Sequence, residues 1–182
     1  MKKAVIILTD GFEEIEAVTV IDILRRAEIE VDCVSRTGKT IVKGSHGITI
    51  ASLTPIEKVS KDADALILPG GPGTADLRNC GKTNEILMYY YEKEKIIGAI
   101  CAAPSILGKA GILKGRKAVC FPGNEKYLEG AEILESDVCE DGNIITSRAA
   151  GTAVPFALAV TAKITGIEKS HEVGAKILYR NN

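Results

Sequence analysis

A cysteine at the end of an apolar run is the residue with the clearest chemical potential. The run Ile96–Ile100 predicts a buried strand, and the small residues after Cys101, followed by Pro104, indicate the start of a helix. A side chain on such a strand-to-helix turn is pushed out at the edge of a sheet, beside the free N–H groups of the helix. These groups favour a thiolate, so the pattern predicts that Cys101 is the fast-reacting nucleophile, with a pKa below that of a free cysteine. The alternative is a buried cysteine that only packs.

An acid on the first helix is the second candidate. A helix from about residue 13 to residue 27 would place Glu16 on its apolar face, and the opposite face would pair Asp22 with Arg26 at i,i+4 spacing. Burial raises the pKa of a carboxyl group, and a neutral carboxyl can donate a hydrogen bond to sulfur. Glu13 and Glu14 need no such role, because acids in a first turn complement the helix dipole. The apolar face comprises Glu16, Val20, Ile23, Leu24 and Ala27.

A glycine-rich loop at residues 70–74 follows the apolar run 64–68. It matches neither common phosphate-binding pattern, so a phosphate cradle is weakly supported. Glycines here permit close backbone approach, and the N–H groups of Gly71 and Ala102 could form a two-donor oxyanion site that faces Cys101. A plain tight turn is the alternative.

Length and composition exclude several classes of protein. The 182 residues fit one domain spanning 1–182, and a net charge of -1 leaves no patch for nucleic acid. The first apolar run is too short for a signal peptide, and no stretch has the length of a membrane span, so a cytoplasmic protein is expected. Neither a disulfide framework nor a metal site is expected, because the cysteines are scattered and only two histidines are present. The cysteines are Cys33, Cys80, Cys101, Cys120 and Cys139.

The order of the elements predicts how these residues are positioned. Short β-rich runs alternate with helical ones, which is typical of a mostly parallel sheet with helices on both faces. Hairpins are predicted within residues 40–50 and 133–145, a strand at 118–121 and an apolar helix at 151–164. Sites in such sheets form beyond the carboxyl ends of the strands. Three loops qualify: residues 10–14, residues 69–74 and the turn at Cys101.

Four motifs in order along the chain, at residues 11–16, 68–71, 99–104 and 146–152, resemble the ThiJ/PfpI superfamily in its DJ-1-like branch. The resemblance implies a flavodoxin-like three-layer α/β/α sandwich and a homodimer. It also implies that Cys101 is the nucleophile, that Glu16 is its hydrogen-bonding acid, and that Gly71 and Ala102 supply backbone donors. The residues expected around the substrate pocket are Gly70, Phe121, Arg148 and Arg26, the last by crossing the dimer interface.

Two departures from the family pattern bear on activity. Peptidases of the family place a histidine directly after the cysteine, where this chain has Ala102, so peptidase activity is the weakest hypothesis. Many DJ-1-like relatives have a histidine where this chain has Phe121, before Pro122. The leading hypothesis is a cofactor-independent glyoxalase or deglycase that acts on dicarbonyls such as methylglyoxal, or on their early adducts with protein groups. The alternative is an oxidation sensor or redox-dependent chaperone without turnover.

Overall fold

The apolar runs of the sequence form the centre of one sheet. The computed structural model describes residues 1–51 and 53–180. Runs rich in β-branched residues suit strands that are buried on both faces, and the four central strands are of this kind. The strands are β1 Lys3–Leu8, β2 Glu30–Ser35, β3 Ile41–Lys43, β4 Thr49–Ala51, β5 Thr54–Pro55, β6 Ala65–Leu68, β7 Ile96–Ile100, β8 Lys117–Ala118, β9 Glu132–Ile133, β10 Val138–Asp141 and β11 Ile144–Ser147.

The helices connect the strands and cover the sheet. One face packs against the first helix and the last two, and the other face packs against the remaining three. Each face buries its own apolar cluster, so the domain has three layers with the sheet in the middle. The helices are α1 Glu14–Arg26, α2 Thr74–Arg78, α3 Gly81–Glu92, α4 Pro104–Lys109, α5 Ala153–Thr165 and α6 Ile167–Lys176.

The main sheet has seven strands in the order β10-β11-β7-β6-β1-β2-β5. All neighbours are parallel except β10 and β11, which form the predicted antiparallel hairpin at the edge. From β1 the chain first builds outward to β2 and β5, and then returns to place β6 on the other side of β1. In parallel sheets, sites form beyond the carboxyl ends of the strands next to such a reversal, which here are the ends of β1 and β6.

Several predicted elements differ from those observed. The predicted strand at residues 118–121 is wrong beyond Ala118, because the following N–H groups donate to groups other than a strand backbone. Val119 donates to the side-chain hydroxyl of Thr146 at 3.0 Å, and Phe121 donates to the Cys101 carbonyl at 2.8 Å. The hairpin at 133–145 is shorter at its start, and the helix at 151–164 begins only at Ala153, after a 3₁₀ turn. Helix α2 was not predicted. Within the described ranges, no helix combines the length and apolar character needed to cross a membrane.

Candidate active site

The turn between β7 and α4 holds Cys101 in an unusual backbone conformation. Its φ of 65° lies in the left-handed region, which costs on the order of 1–3 kcal/mol for a residue other than glycine. Two hydrogen bonds hold this conformation: the Cys101 N–H donates to the Ser147 carbonyl at 2.9 Å, and its carbonyl accepts from the Phe121 N–H at 2.8 Å. The half-buried thiol is therefore fixed at the sheet edge by the neighbouring strand β11 and by the segment after β8.

The carboxyl group of Glu16 lies beside this thiol and is fully buried. Its Oε2 accepts a hydrogen bond of 2.8 Å from the Gly70 N–H, while Oε1 has no partner in hydrogen-bond geometry within the described residues. The thiol of Cys101 is the side chain that interacts with the Glu16 carboxyl. The first turn of α1 thus places one buried acid beside the candidate nucleophile.

Gly70 is the residue that permits this approach. A Cβ atom at Gly70 would lie 2.7 Å from the Cβ of Cys101 and 2.7 Å from Oε2 of Glu16. Real Cβ atoms essentially never come so close, so any other residue would push the acid and the thiol apart. Gly70, which was expected near the substrate pocket, therefore adjoins both Cys101 and Glu16.

The backbone donors expected from the sequence also face the sulfur. The N–H groups of Gly71 and Ala102 both hydrogen-bond toward Cys101 and lower the pKa of its thiol. Gly71 has a φ of 100°, and a Cβ there would lie 2.5 Å from the Glu13 nitrogen, so glycine is required. Two N–H groups from different loops that converge on one atom can stabilise negative charge that develops there.

The ionisation of Cys101 differs from the prediction. Burial is the largest effect, and together with the charge and hydrogen bond of Glu16 it raises the pKa of the thiol to about 12, despite the two N–H donors. The expected pKa below that of a free cysteine is therefore wrong. Burial also raises the pKa of Glu16 to about 7, which agrees with the prediction for an acid on an apolar face.

The two raised values describe one coupled pair. Two acidic groups that share a buried space resist carrying two negative charges, so the pair keeps one proton over a wide pH range. When that proton resides on Glu16, the sulfur is a thiolate held by the N–H groups of Gly71 and Ala102. The site can thus present a nucleophile next to the acid that took its proton.

Glu14 has a role that the sequence analysis missed. Its side chain is only 4% exposed and accepts hydrogen bonds from the backbone N–H of His46 at 2.6 Å and from the Ser45 hydroxyl at 3.1 Å. Nδ1 of His46 also lies 3.0 Å from the carboxylate. Burial alone would raise the pKa of Glu14, but the hydrogen bonds from His46 and Ser45 lower it to about 2. Glu14 therefore fastens the β3–β4 hairpin to the first turn of α1.

The other residues predicted for the pocket differ in their position relative to the Cys101–Glu16 pair. Phe121 contacts the turn through its backbone, and its side chain is 46% exposed, so it does not belong to the core. Arg148 follows β11 on the same edge, bonds the Glu135 carbonyl at 3.2 Å, and is near enough to Cys120 to lower the pKa of that thiol. Arg26 instead lies at the far end of α1, where it pairs with Asp22 at 2.6 Å. Within one chain, Arg26 is therefore not part of the site.

A group of metal-ligand type lies near the start of α1. Ligand atoms of Glu13, Glu14 and His46 lie within 4.8 Å of one another. The carboxylate of Glu14 already accepts hydrogen bonds from the hairpin, and that of Glu13 accepts the Glu16 N–H at 2.8 Å. These carboxylates thus have structural roles, and the reacting pair itself offers one thiol and one acid.

Comparisons of the sequence and of the structure with known proteins agree with each other and extend over nearly the whole chain. Residues 2–163 match the model of the DJ-1/PfpI family. Protein dj-1beta of Drosophila melanogaster is 35% identical over 185 residues, covering 100% of this chain and 99% of that protein, and its crystal structure matches with a TM-score of 0.94. The glutathione-independent glyoxalase DJR-1.2 of Caenorhabditis elegans is 31% identical over 176 residues, or 94% of each chain. Oxidized Toxoplasma gondii DJ-1 matches with a TM-score of 0.94 at 31% identity, with all of both chains covered.

Proposed function

Because the chain belongs to the DJ-1/PfpI family, we propose that it is a cofactor-independent cysteine enzyme that converts reactive dicarbonyls such as methylglyoxal. Early adducts of methylglyoxal with protein thiols or amines are substrates of the same chemical class. The observation that carries the proposal is the Cys101–Glu16 pair, a nucleophile and a buried acid with a pKa of about 7. A similar protein of Caenorhabditis elegans that is named a glutathione-independent glyoxalase supports it.

The first step is attack of the Cys101 thiolate on the aldehyde carbon of methylglyoxal. A C–S bond forms, the C=O π electrons move to oxygen, and a proton from Glu16 or water completes the hemithioacetal. The N–H groups of Gly71 and Ala102, which already face the sulfur, stabilise the developing oxyanion. Because Cys101 supplies the thiol, glutathione is not required.

The second step moves a proton between adjacent carbons. Glu16, as carboxylate, removes the proton from the former aldehyde carbon and gives an enediolate, and protonation of the neighbouring carbon yields a thioester of lactate. Water then cleaves the thioester, releasing lactate and restoring the thiol. A pKa of about 7 suits both the removal and the return of the proton near neutral pH.

The test is a count of lactate molecules formed per subunit. The purified protein is incubated with excess methylglyoxal without glutathione, and D- and L-lactate are quantified over time. Many turnovers per subunit are expected, with none above background for Cys101→Ser. Consumption of about one equivalent of methylglyoxal per subunit without lactate would overturn the enzymatic function, because methylglyoxal would then only add to the thiol and not be converted.

A second candidate function is oxidation sensing at the same cysteine. A protonated Glu16 and the N–H groups of Gly71 and Ala102 are donors suited to the oxygens of a Cys101 sulfinate, the product of two-step oxidation by peroxide. The favouring observation is the pKa of Glu16, which keeps a large fraction of the acid protonated near neutral pH. If the lactate assay shows no turnover on dicarbonyls, oxidation sensing would remain as the proposed function of Cys101.

The partner we propose is a second copy of the chain. Ile15 and Val18 are 56% and 44% exposed on the outer side of α1, and Ile48 of the adjoining hairpin is 56% exposed. A cluster of large apolar side chains on neighbouring elements is typical of a surface that is covered by a partner. The position of this apolar face next to the first turn of α1 would place the partner chain close to the site.

A further inference from the structure

Among the cysteines in the described ranges, Cys80 is the one that directly precedes a helix. It is the residue before α3, a helix of 12 residues, and its backbone is extended with φ -88° and ψ 115°. A residue in this position lies beside the unpaired N–H groups of the first turn, here those of Lys82 and Thr83, although the Cys80 thiol makes no capping hydrogen bond. The thiol is only partly buried, so dissolved molecules can reach it.

The hydroxyl group of Thr83 is an independent sign that an anion is stabilised here. Thr83 is fully buried, and its Oγ1 has no partner in hydrogen-bond geometry within residues 1–51 and 53–180. A buried hydroxyl without an acceptor is unfavourable, because it has lost its hydrogen bonds to water. Thr83 is the third residue after Cys80, and its hydroxyl lowers the pKa of the Cys80 thiol. A thiolate accepts a hydrogen bond far better than a thiol does.

The charges around Cys80 favour the same form. Burial raises the pKa of this thiol, but the Thr83 hydroxyl, the N–H groups of Thr83 and Lys82, and the charge of Arg36 together lower it. Arg36 follows β2 and pairs with Asp76 of α2 at 3.2 Å. The pKa values of the other four cysteines are all raised, with burial as the largest cause: Cys33, Cys101, Cys120 and Cys139.

We propose that Cys80 is a second reactive site, at which the chain is modified by low-molecular-weight disulfides. The Cys80 thiolate attacks one sulfur of the small disulfide, the new bond joins Cys80 to that sulfur, and the old S–S bond breaks. The other sulfur leaves as a thiolate and takes a proton from water, so Cys80 is oxidised and the leaving thiol is reduced. The reaction uses neither Glu16 nor Cys101 and is independent of dicarbonyl chemistry.

The experiment uses Cys101→Ser protein, so that the catalytic thiol does not contribute. The protein is incubated with glutathione disulfide, and peptide mapping follows the mixed disulfide at each cysteine over time. Cys33 is the matched comparison, because it is also partly buried but has a raised pKa. We expect Cys80 to react at least about tenfold faster than Cys33, in proportion to its larger thiolate fraction. Equal rates at the two cysteines would overturn the proposal.

Two variants separate the capping geometry from simple exposure. Thr83→Val removes the hydroxyl at nearly constant shape and should slow the modification of Cys80 about threefold or more, while Cys33 is unaffected. Cys80→Ser keeps a capping side chain and should abolish the fast modification. Should Thr83→Val not fold, the pH dependence of Cys80 alkylation in the Cys101→Ser protein decides. Its midpoint must lie below the ~8.5 of a free cysteine, and a higher midpoint would refute the proposal.

Discussion

The chemistry proposed for this protein depends on whether Glu16 or Cys101 carries the proton that the two groups share. Glu16 and Cys101 come from α1 and from the β7–α4 turn, and Gly70 leaves no side chain between them. Burial raises the pKa of both groups, and Glu16 raises that of the Cys101 thiol further, because a second negative charge in that space is unfavourable. A thiolate therefore forms mainly when Glu16 takes the proton, so nucleophile and acid act as a unit.

Replacement of Glu16 by Gln tests this coupling. Gln keeps the size of the side chain but removes the charge, so the pKa of Cys101 should fall by about one unit or more. Lactate formation should fall by ~10²–10⁴-fold, because the proton carrier is lost. The measurements are the pH dependence of iodoacetamide alkylation at Cys101 and the rate of lactate release.

A lower pKa of Cys101 together with slower lactate formation in Glu16→Gln would identify two roles of Glu16. Its charge raises the pKa of the thiol, and its carboxyl group carries the proton during turnover. Asp22→Asn is a suitable control, since it removes an exposed acid from the same helix and should change neither quantity. An alkylation profile of Glu16→Gln that shifts to higher pH would contradict the coupling.

Phe121→His tests the position at which DJ-1-like relatives have a histidine. If an imidazole there carries the proton between the two carbons of the dicarbonyl, lactate formation should rise, by up to ~10²-fold for a well-placed acid/base group. The side chain is 46% exposed, so the change should cost only about 0.5 kcal/mol of stability or less. Lactate release and the melting temperature are measured on the same preparation.

Phe121→Leu is the control, because it alters the side chain without adding an acid/base group. A folded Phe121→His variant that is no faster than the parent would indicate that this position takes no part in proton transfer.

At the scale of secondary structure elements, the start of α1 organises the site. Glu13 caps the helix by accepting the Glu16 N–H, Glu14 binds the hairpin, and Glu16 reaches the thiol. Three acids in four positions therefore have three different partners, and only one of them faces the nucleophile. The hairpin and the reacting acid are consequently fixed by neighbouring residues of one helical turn.

The lowered pKa of Glu14 predicts that attachment of the hairpin depends on pH. The fold favours the charged form, so the contribution of Glu14 is complete above its ordinary pKa of 4.5 and is lost as pH falls toward about 2. Amide hydrogen exchange in residues 41–51 should accelerate in this pH range for the natural chain. Glu14→Gln should show faster exchange already at pH 7, with a smaller change on acidification.

Glu129→Gln serves as the matched control, because Glu129 is an exposed acid remote from the hairpin in sequence. Exchange in residues 41–51 that is equal for Glu14→Gln and the natural chain at pH 7 would show that this carboxylate does not hold the hairpin.

The sequence predicted the elements best where burial determines their residues. The bounds of β7 agree with the prediction, and the apolar face of α1 singled out Glu16 from the sequence alone. Short elements such as α2 lack a full hydrophobic period and were missed. The role of Glu14 was missed because its partners, Ser45 and His46, are distant in sequence. The pKa of Cys101 was misjudged because helix N–H groups can be inferred locally, whereas burial and a facing carboxylate depend on the whole fold.

At the scale of the whole molecule, the sheet order accounts for the location of the site. The order of strands reverses at β1, with β2 on one side and β6 on the other, and the carboxyl ends of β1, β6 and β7 lead to the segments that hold Glu16, Gly70 and Cys101. Residues that are far apart in sequence thus converge at one edge. The family resemblance predicted this architecture, and the match to the DJ-1/PfpI family confirms it.

We expect the protein to be a homodimer in solution. Light scattering at micromolar concentrations should give twice the mass of one chain, 19.3 kDa. Val18→Glu places a charge on the apolar face of α1 and should shift the protein toward monomer, because burying an unpaired charge in an interface is costly.

Ile167→Glu is the control, since Ile167 is also exposed, at 51%, but lies on α6. A single-chain mass for the natural protein at all concentrations would contradict the dimer. It would also remove the only route by which Arg26 could reach a site.

The left-handed backbone at Cys101 has a consequence for how such a chain can change. Glycine adopts this conformation without strain, so a sequence that lost its nucleophile to glycine would be relieved of about 1 kcal/mol or more of backbone strain. Selection for folding stability alone would therefore favour the inactive residue at this position. A cysteine at this position therefore carries a cost in stability that glycine would not, which is in keeping with the reactive role proposed for Cys101.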